Sequence, residues 1–425
     1  MAPVIAPFRA FRFDPAVTGP LDQVITPPYD VISPGEREQL ARRSPYNMVH
    51  VILPRAEAGD TTPYSAAARV FSGWLADGAL KQDTAPSWYL LRQDFTDPRG
   101  VRRVRHAFFA RVKLPETGEK RILGHERTFD KPFEDRLQLI RAVEAVPGAV
   151  FVLYSDPDGK IQSVFDHCDR LPADAEFTTF EGTRQQLWRV PEQTLDVSAL
   201  ENQILYIADG HHRFRTACVY RDEMRAKTGL CDGRQPWDYT LMGFVAFEDP
   251  GLAVYPTHRL LPADYPLDPA AARNALEPWF SLEITNNGQI ADLLDQVSGQ
   301  GSFGLAWPDG SAWLLTFRGD RTALLGTGRH EAWRNLDVVL LHAGILERLL
   351  GVSPDTPLRY EKDAGAALAE VSSGRASAAF LLRATPPAQI RACAEAGEPM
   401  PQKSTYFFPK LPSGAVILVL RQPYE

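Results

Sequence analysis

Cysteine is scarce in this chain of 425 residues: four occur, Cys168, Cys218, Cys231 and Cys393, and none forms a C-x-x-C pair. That scatter argues against a zinc ribbon or a disulfide framework and fits a reducing compartment. No apolar run approaches the length of a membrane span. Met1 to Ala10 has no apolar core of signal-peptide length, and Pro3 and Pro7 interrupt it, so a cytoplasmic location without membrane partners is expected. An excess of positive charge is missing too. Lys and Arg number 46 against 53 Asp and Glu, a formal charge of −7. That is the wrong sign for a dedicated duplex-DNA binder, and no helix-turn-helix pattern is recognisable, so DNA is not the expected partner. There is no P-loop (G-x-x-x-x-G-K-S/T), no internal repeat and no low-complexity tract. What remains is ordinary globular composition, 44% hydrophobic and 23% charged, with 35 prolines spread along the chain. The length allows two or three domains, with cores large enough to need no staples.

The most informative stretch runs from Tyr206 to Arg215. The apolar Ile204-Leu205-Tyr206-Ile207 reads as a buried strand, Asp209-Gly210 breaks it, and helical spacing resumes at Thr216. His211, His212 and Arg213 therefore fall at a strand-to-helix turn. Backbone N–H groups and the positive end of the helix dipole favour an anion there. Gly210 permits close backbone approach, and Arg213 carries a planar fork suited to phosphate oxygens. The same residues also fit a plain surface turn, since Asp-Gly is common turn chemistry.

Three other groups can carry chemistry. His125-Glu126 resembles the start of a metalloprotease motif, but Phe129 stands where the second histidine belongs. Glu126 could act as a base or bind magnesium, or lie in a solvated loop. Pro256-Thr257-His258-Arg259 follows an apolar run from Leu252 and again places histidine and arginine at a strand end, as a second anion site or a surface turn. In Pro401 to Lys410, lysines and hydroxyls suit phosphate or carboxylate, while the aromatics can stack on a base or fill a core. Pro27-Pro28 stiffens the approach to Tyr29-Asp30.

Local patterns also predict elements. Ser33-Pro34-Gly35-Glu36 is a capping-box start for a helix to about Arg43, and a second helix is expected from about Tyr64 to Asp77. Strands are expected at Trp88 to Leu91 and Val104 to Val112 about the Asp97-Pro98-Arg99-Gly100 turn, and a hairpin about Pro308 to Ser311. A short helix is expected at about Leu195 to Asn202, and the clearest helix is Leu336 to Leu350, stopped by Gly351.

Taken together, five segments resemble the bacterial and archaeal family called domain of unknown function 1015. They are Thr26-Pro-Pro-Tyr-Asp-Val-Ile-Ser33, His125-Glu-Arg-Thr128 with Asp135-Arg136, Ile207-Ala-Asp-Gly-His-His-Arg213, Pro256-Thr-His-Arg259, and Met400-Pro-Gln-Lys-Ser-Thr-Tyr-Phe-Phe-Pro-Lys410. That family is similar to the ParB/sulfiredoxin superfamily, whose members bind nucleotides at a Gly-x-x-Arg turn. Sulfiredoxins carry a cysteine where His211 stands, so sulfinate repair is not expected. A free serine kinase of that superfamily has a similar Asp-Gly-His-His-Arg turn.

The resemblance implies an α+β fold. A ParB/sulfiredoxin-like core is expected over residues 1–255 and a second mixed α/β portion over 256–425, with the 400–410 segment folding back to complete the site. It also implies a kinase using ATP or ADP with Mg2+ on the hydroxyl of a small metabolite, free L-serine among the candidates. Gly210, His211, His212, Arg213, His258, Arg259, Lys403, Ser404 and Thr405 would hold the nucleotide. Asp209 would hold the metal or the substrate, and His211 and His212 would join it in catalysis. The base would be Asp30 or Glu126, and spacing does not decide between them. A non-catalytic nucleotide-responsive regulator and a phosphatase using the same site are the alternatives.

Overall fold

The computed structural model describes residues 4–98, 100–126 and 130–421. Arg99 of the expected turn and the Arg127, Thr128 and Phe129 positions lie outside the described residues, as do residues 1–3 of the N-terminus. The chain is α+β and divides into two units. The first takes the chain to Gly124, from Asp130 to Leu252, and again from Pro409 onward. The second takes His125, Glu126 and Ala253–Phe408. The chain from Pro409 thus returns to the first unit rather than staying with the second.

The first unit is built on a mixed nine-stranded sheet. At one side, Leu205–Asp209 runs parallel to Ile122–Leu123 and antiparallel to Val150–Tyr154. Tyr239–Ala246 follows, then the long hairpin of Ser87–Thr96 and Arg102–Lys113, then Arg184–Pro191 and Ala175–Thr178. Tyr239–Ala246 is buried along its whole length, so it reads as a continuous apolar run rather than an alternating one. Phe108 and Phe244 stack at 4.5 Å in a core that also takes Tyr154, Ile161 and Phe165. A second core gathers Phe71 and Trp74 of helix Pro63–Ala76 with Val51, Leu139 and Ile417. Ser33 and Glu36 form the expected capping box of helix Pro34–Arg43. Ile417 bonds Phe11 and Ser413 bonds Thr26 in backbone pairs, which threads the C-terminal segment beside the N-terminal turn.

The second unit centres on a six-stranded antiparallel sheet containing the expected hairpin, Ser302–Ala306 with Ser311–Phe317. Two expectations need correction. The helix predicted over Leu336 to Leu350 is a short α-turn, Asp337–Val339, followed by a π-helix, Leu340–Leu349. Its i→i+5 pairing moves the buried stripe. Gly344 and Ile345 face the interior, while Ala343 is only half-buried. A side chain at Gly344 would press on Leu324, its added Cβ lying 3.0 Å from Leu324 Cδ2. The helix predicted over about Leu195 to Asn202, in the first unit, is instead a single 3-10 turn, Ser198–Leu200, with another, Glu192–Thr194, just before the predicted start.

Candidate functional site

The strand Leu205–Asp209 buries its four apolar residues and ends on Asp209. It ends there because Gly210 is left-handed, with φ of 92°, a conformation that costs glycine nothing. A second constraint acts at the same position: the Arg213 guanidinium folds back over Gly210, so an added Cβ would meet Nε at 3.0 Å. The helix His211–Thr228 then begins without a side-chain cap. Its positive end is left to whatever acceptor the surroundings provide.

Asp209 sits between two cations. Arg213 Nη2 donates to Oδ2 at 2.6 Å, and Lys410 Nζ donates to Oδ1 at 2.6 Å. Arg213 Nη1 also donates to the Ala149 carbonyl. The three side chains are 14%, 13% and 7% exposed for Asp209, Arg213 and Lys410, so the cluster is largely shielded from solvent. Burial alone would raise the Asp209 carboxyl, but Lys410 and Arg213 outweigh it and hold it well below the usual carboxylate range. Two cations against one carboxylate leave one positive charge beside a helix N-terminus.

His211 adds no charge at neutral pH. Burial pushes its imidazole down to about 4, against the pull of Asp209. Its ring lies on Gly124, where a Cβ would come within 2.8 Å of Cδ2, so only glycine leaves it room. His212 is half-buried in the first turn of the same helix.

The Thr26–Asp30 turn belongs to this unit. Pro28 and Tyr29 line one pocket with Arg213, and the Arg136 guanidinium stacks 4.1 Å from the Tyr29 ring. Burial, reinforced by Asp30, pushes the Tyr29 phenol up to about 12, while Arg213 and Arg136 oppose the shift. Asp30 itself is exposed. Of the two carboxylates considered as the base, Asp30 shares the unit of the Arg213 corner and Glu126 belongs to the other unit.

The second unit holds its own polar group. His125 is 1% exposed, and its Nε2 lies 3.3 Å from Thr405 Oγ1. Glu126 bridges to Met400 through the backbone. Arg259 is wholly buried. Its Nε donates to His342 Nε2 at 2.9 Å, Nη1 reaches the Thr257 carbonyl, and Nη2 donates to the carbonyls of Gln402 and Lys403. Burial brings this guanidinium down to about 10. His258 and Arg259 open the strand His258–Pro262 rather than close the preceding one, Ala253–Tyr255. Arg259 therefore ties down the loop that carries Lys403. Ser404 Oγ donates to Pro401 O, and Ser404 O accepts from Thr385 Oγ1 at 3.1 Å. Lys403 is exposed and left-handed, with φ of 52°.

The structure thus brings Asp209, Gly210, His211, His212 and Arg213 together with Tyr29 in the first unit. It gathers His125, His258, Arg259, Ser404 and Thr405 in the second. Asp209 does not fit a resident metal, because both of its oxygens are engaged by cations. Among the described residues no group of three His, Cys, Asp or Glu is placed to hold a metal ion, and no helix is long and apolar enough to cross a membrane. Lys410 was not among the expected site residues, although it closes the 400–410 segment. Asp135-Arg136 was quoted without a role, and Thr216 and Ser413 carried no signal of their own.

The family model described as a protein of unknown function, DUF1015, matches residues 5–339. The chain belongs to that family. No match is found among curated proteins. Among solved structures, this DUF1015 protein is similar to a conserved hypothetical protein from Pyrococcus furiosus, at 14% identity and a TM-score of 0.34 over 72% of this chain and 93% of the other. It is also similar to a free serine kinase in complex with AMP, at 12% identity and a TM-score of 0.34 over 70% and 86%. A third is SbnI with a C-terminal truncation from Staphylococcus aureus, at 12% identity and a TM-score of 0.37 over 75% and 90%. Scores this low carry no activity over to the DUF1015 chain.

Buried His211 and His258 and half-buried His342 set an acid limit on the fold. His211 and His258 titrate at about 4 and His342 at about 3, each lowered chiefly by burial from an ordinary value of 6.5. As pH falls below 6.5 the unfolded chain takes up these protons and the folded chain does not. Stability present above 6.5 is therefore lost progressively down to about 4, and to about 3 for His342. Below that, protonation of Asp209 removes more, since its folded value is the lower one. Urea unfolding at pH 7.5 and 4.5 checks this, and equal midpoints would contradict it.

Proposed function

We propose that this protein is a nucleotide-dependent kinase of ParB/sulfiredoxin-like type that phosphorylates the hydroxyl of a small metabolite in the cytoplasm. The observation that carries the reading is the Asp209–Arg213 corner. An uncapped helix N-terminus, Arg213 and Lys410 together hold one positive charge in excess where phosphate oxygens can approach backbone N–H groups over Gly210. Phosphoryl transfer needs little covalent help from protein. It needs cations placed around the phosphates and a base near the acceptor hydroxyl.

In this reading the backbone at Gly210, His211 and His212 cradles the phosphates, and Arg213 leaves Asp209 to take an oxygen. Neutral His211 donates a hydrogen bond rather than a charge. Asp209 serves as the counter-ion that positions Arg213 and Lys410, and magnesium enters with ATP or ADP as its counter-ion. Asp30, on the turn beside Tyr29 in the same unit as the corner, is taken as the base. In the second unit, Arg259 supports the loop that carries Lys403, Ser404 and Thr405. The resemblance of the Asp-Gly-His-His-Arg turn makes free L-serine the first acceptor to assay.

The test is incubation of the full chain with ATP or ADP and a panel of hydroxyl metabolites, following phosphorylated product by mass. Product formation dependent on both partners is expected. Phosphate release without an acceptor would indicate a hydrolase, nucleotide binding without product would indicate a regulatory module, and either outcome overturns the kinase reading.

A further inference from the structure

Lys410 lies outside the helices and strands, so no ladder of backbone hydrogen bonds fixes its place. Its ammonium is nevertheless 2.6 Å from Asp209 Oδ1, and its side chain is 7% exposed. The chain around it is held from the sheet instead.

Two buried polar side chains do the holding. Gln93 of strand Ser87–Thr96 and Arg105 of strand Arg102–Lys113 stand directly opposite each other, both wholly buried. Arg105 Nη2 donates to the Pro409 carbonyl and to Gln93 Oε1, and Nε donates to Oε1 at 2.9 Å. A guanidinium only donates, so Gln93 turns its oxygen toward Arg105. That leaves Gln93 Nε2 for the Lys410 carbonyl, at 3.2 Å. The Arg105 guanidinium lies 4.9 Å from the centre of the Phe151 ring. Four residues beyond Arg105, on the same face of the sheet, Phe109 stands opposite Gly243. A Cβ at Gly243 would overlap Leu411 Cδ1, so the glycine makes room for the next residue of the segment.

Buried polar groups are costly to desolvate, and apolar residues of similar volume would cover a sheet as well. What an amide and a guanidinium add is direction. The Pro409 and Lys410 carbonyls belong to the two peptide groups on either side of the Lys410 α-carbon, and each is gripped by one of these side chains. We infer that Gln93 and Arg105 are positioning residues, which fix the Lys410 backbone so that its ammonium meets Asp209 and supplies the second cation of the corner. The positioning stands on this geometry; its consequence for nucleotide binding rests on the kinase reading above.

Gln93→Glu is the probe. Glutamate keeps the shape and still accepts from Arg105, but it turns a bare oxygen toward the Lys410 carbonyl. Lysine acylation of the full chain, followed by peptide mass, reports the Lys410 ammonium, with exposed Lys160 as the internal standard. Lys410 is expected to react at least about fivefold faster in the variant, with Lys160 unchanged. ADP affinity is expected to fall about three- to tenfold in Gln93→Glu, and not to fall further when Gln93→Glu is added to Lys410→Met. A merely structural role would lower affinity in both backgrounds. Unchanged Lys410 reactivity, or an equal loss of affinity in the Lys410→Met background, would overturn the inference. Should Gln93→Glu fail to fold, Arg105→Lys carries the same expectations, since it keeps the charge but loses the fork that joins Gln93 to the Pro409 carbonyl. Should the parent not bind ADP, the kinase reading falls, and Lys410 reactivity alone decides the positioning.

Discussion

Asp209→Asn is expected to destabilise the fold by about 3–5 kcal/mol, the range found when one partner of a buried ion pair is removed. The carboxylate is shared by Lys410 and Arg213 at 2.6 Å each, all three side chains are at most 14% exposed, and asparagine leaves two neighbouring cations without the charge that holds them. The loss is therefore larger than for a surface salt bridge, which is worth about 1 kcal/mol or less. Lys410→Met alone leaves the Arg213–Asp209 pair intact and is expected to cost less. The double variant should recover part of the Asp209→Asn loss, because one of the two opposed cations has gone. Urea unfolding of the three variants measures this. An Asp209→Asn protein within about 0.5 kcal/mol of the parent would mean that the three groups do not form a buried cluster.

Arg213→Ala is expected to weaken ADP binding about 10- to 100-fold, the equivalent of one or two charge-assisted hydrogen bonds. Within Asp209–Arg213, Arg213 alone combines a fork with a position over the helix start. Its guanidinium already lies across Gly210, so a modest swing carries it to an anion above the first turn. Arg213→Lys keeps the charge and loses the fork, so it should fall between the alanine variant and the parent. Asp209 keeps Lys410 as a partner in both variants, so the fold is expected to survive. Titration by calorimetry with melting temperatures measured alongside separates binding from stability. Parental affinity in the alanine variant would remove the phosphate-binding role from this corner.

Much of the corner was legible because its signals are local. An apolar run, a glycine and a helical period follow one another within a few residues, and Gly210 at φ of 92° is the conformation that such a break requires. The capping box at Ser33 and the hairpin about Pro308 to Ser311 were readable for the same reason. Lys410 was different. It lies 201 residues from Asp209 in sequence, and no periodicity in either segment records the contact. His258-Arg259 misled in the other direction. The pair looked like an exposed strand end, but it begins a buried strand, and Arg259 is held by carbonyls and His342. The π-helix at Leu340–Leu349 could not be read from a stripe at ordinary helical spacing, because its apolar residues fit either winding in part.

The amino-acid order alone determined that a strand would break at Asp209-Gly210 and restart as a helix with two imidazoles and a guanidinium in its first turn. Backbone conformation answers to near neighbours, and those residues leave few choices. Only the folded chain decided which charges survive there. Lys410 arrives from the C-terminal segment to share Asp209, and burial strips His211 of its proton. Which groups come to share a poorly solvated space depends on the packing of distant segments, and the energy of a charge depends on that space.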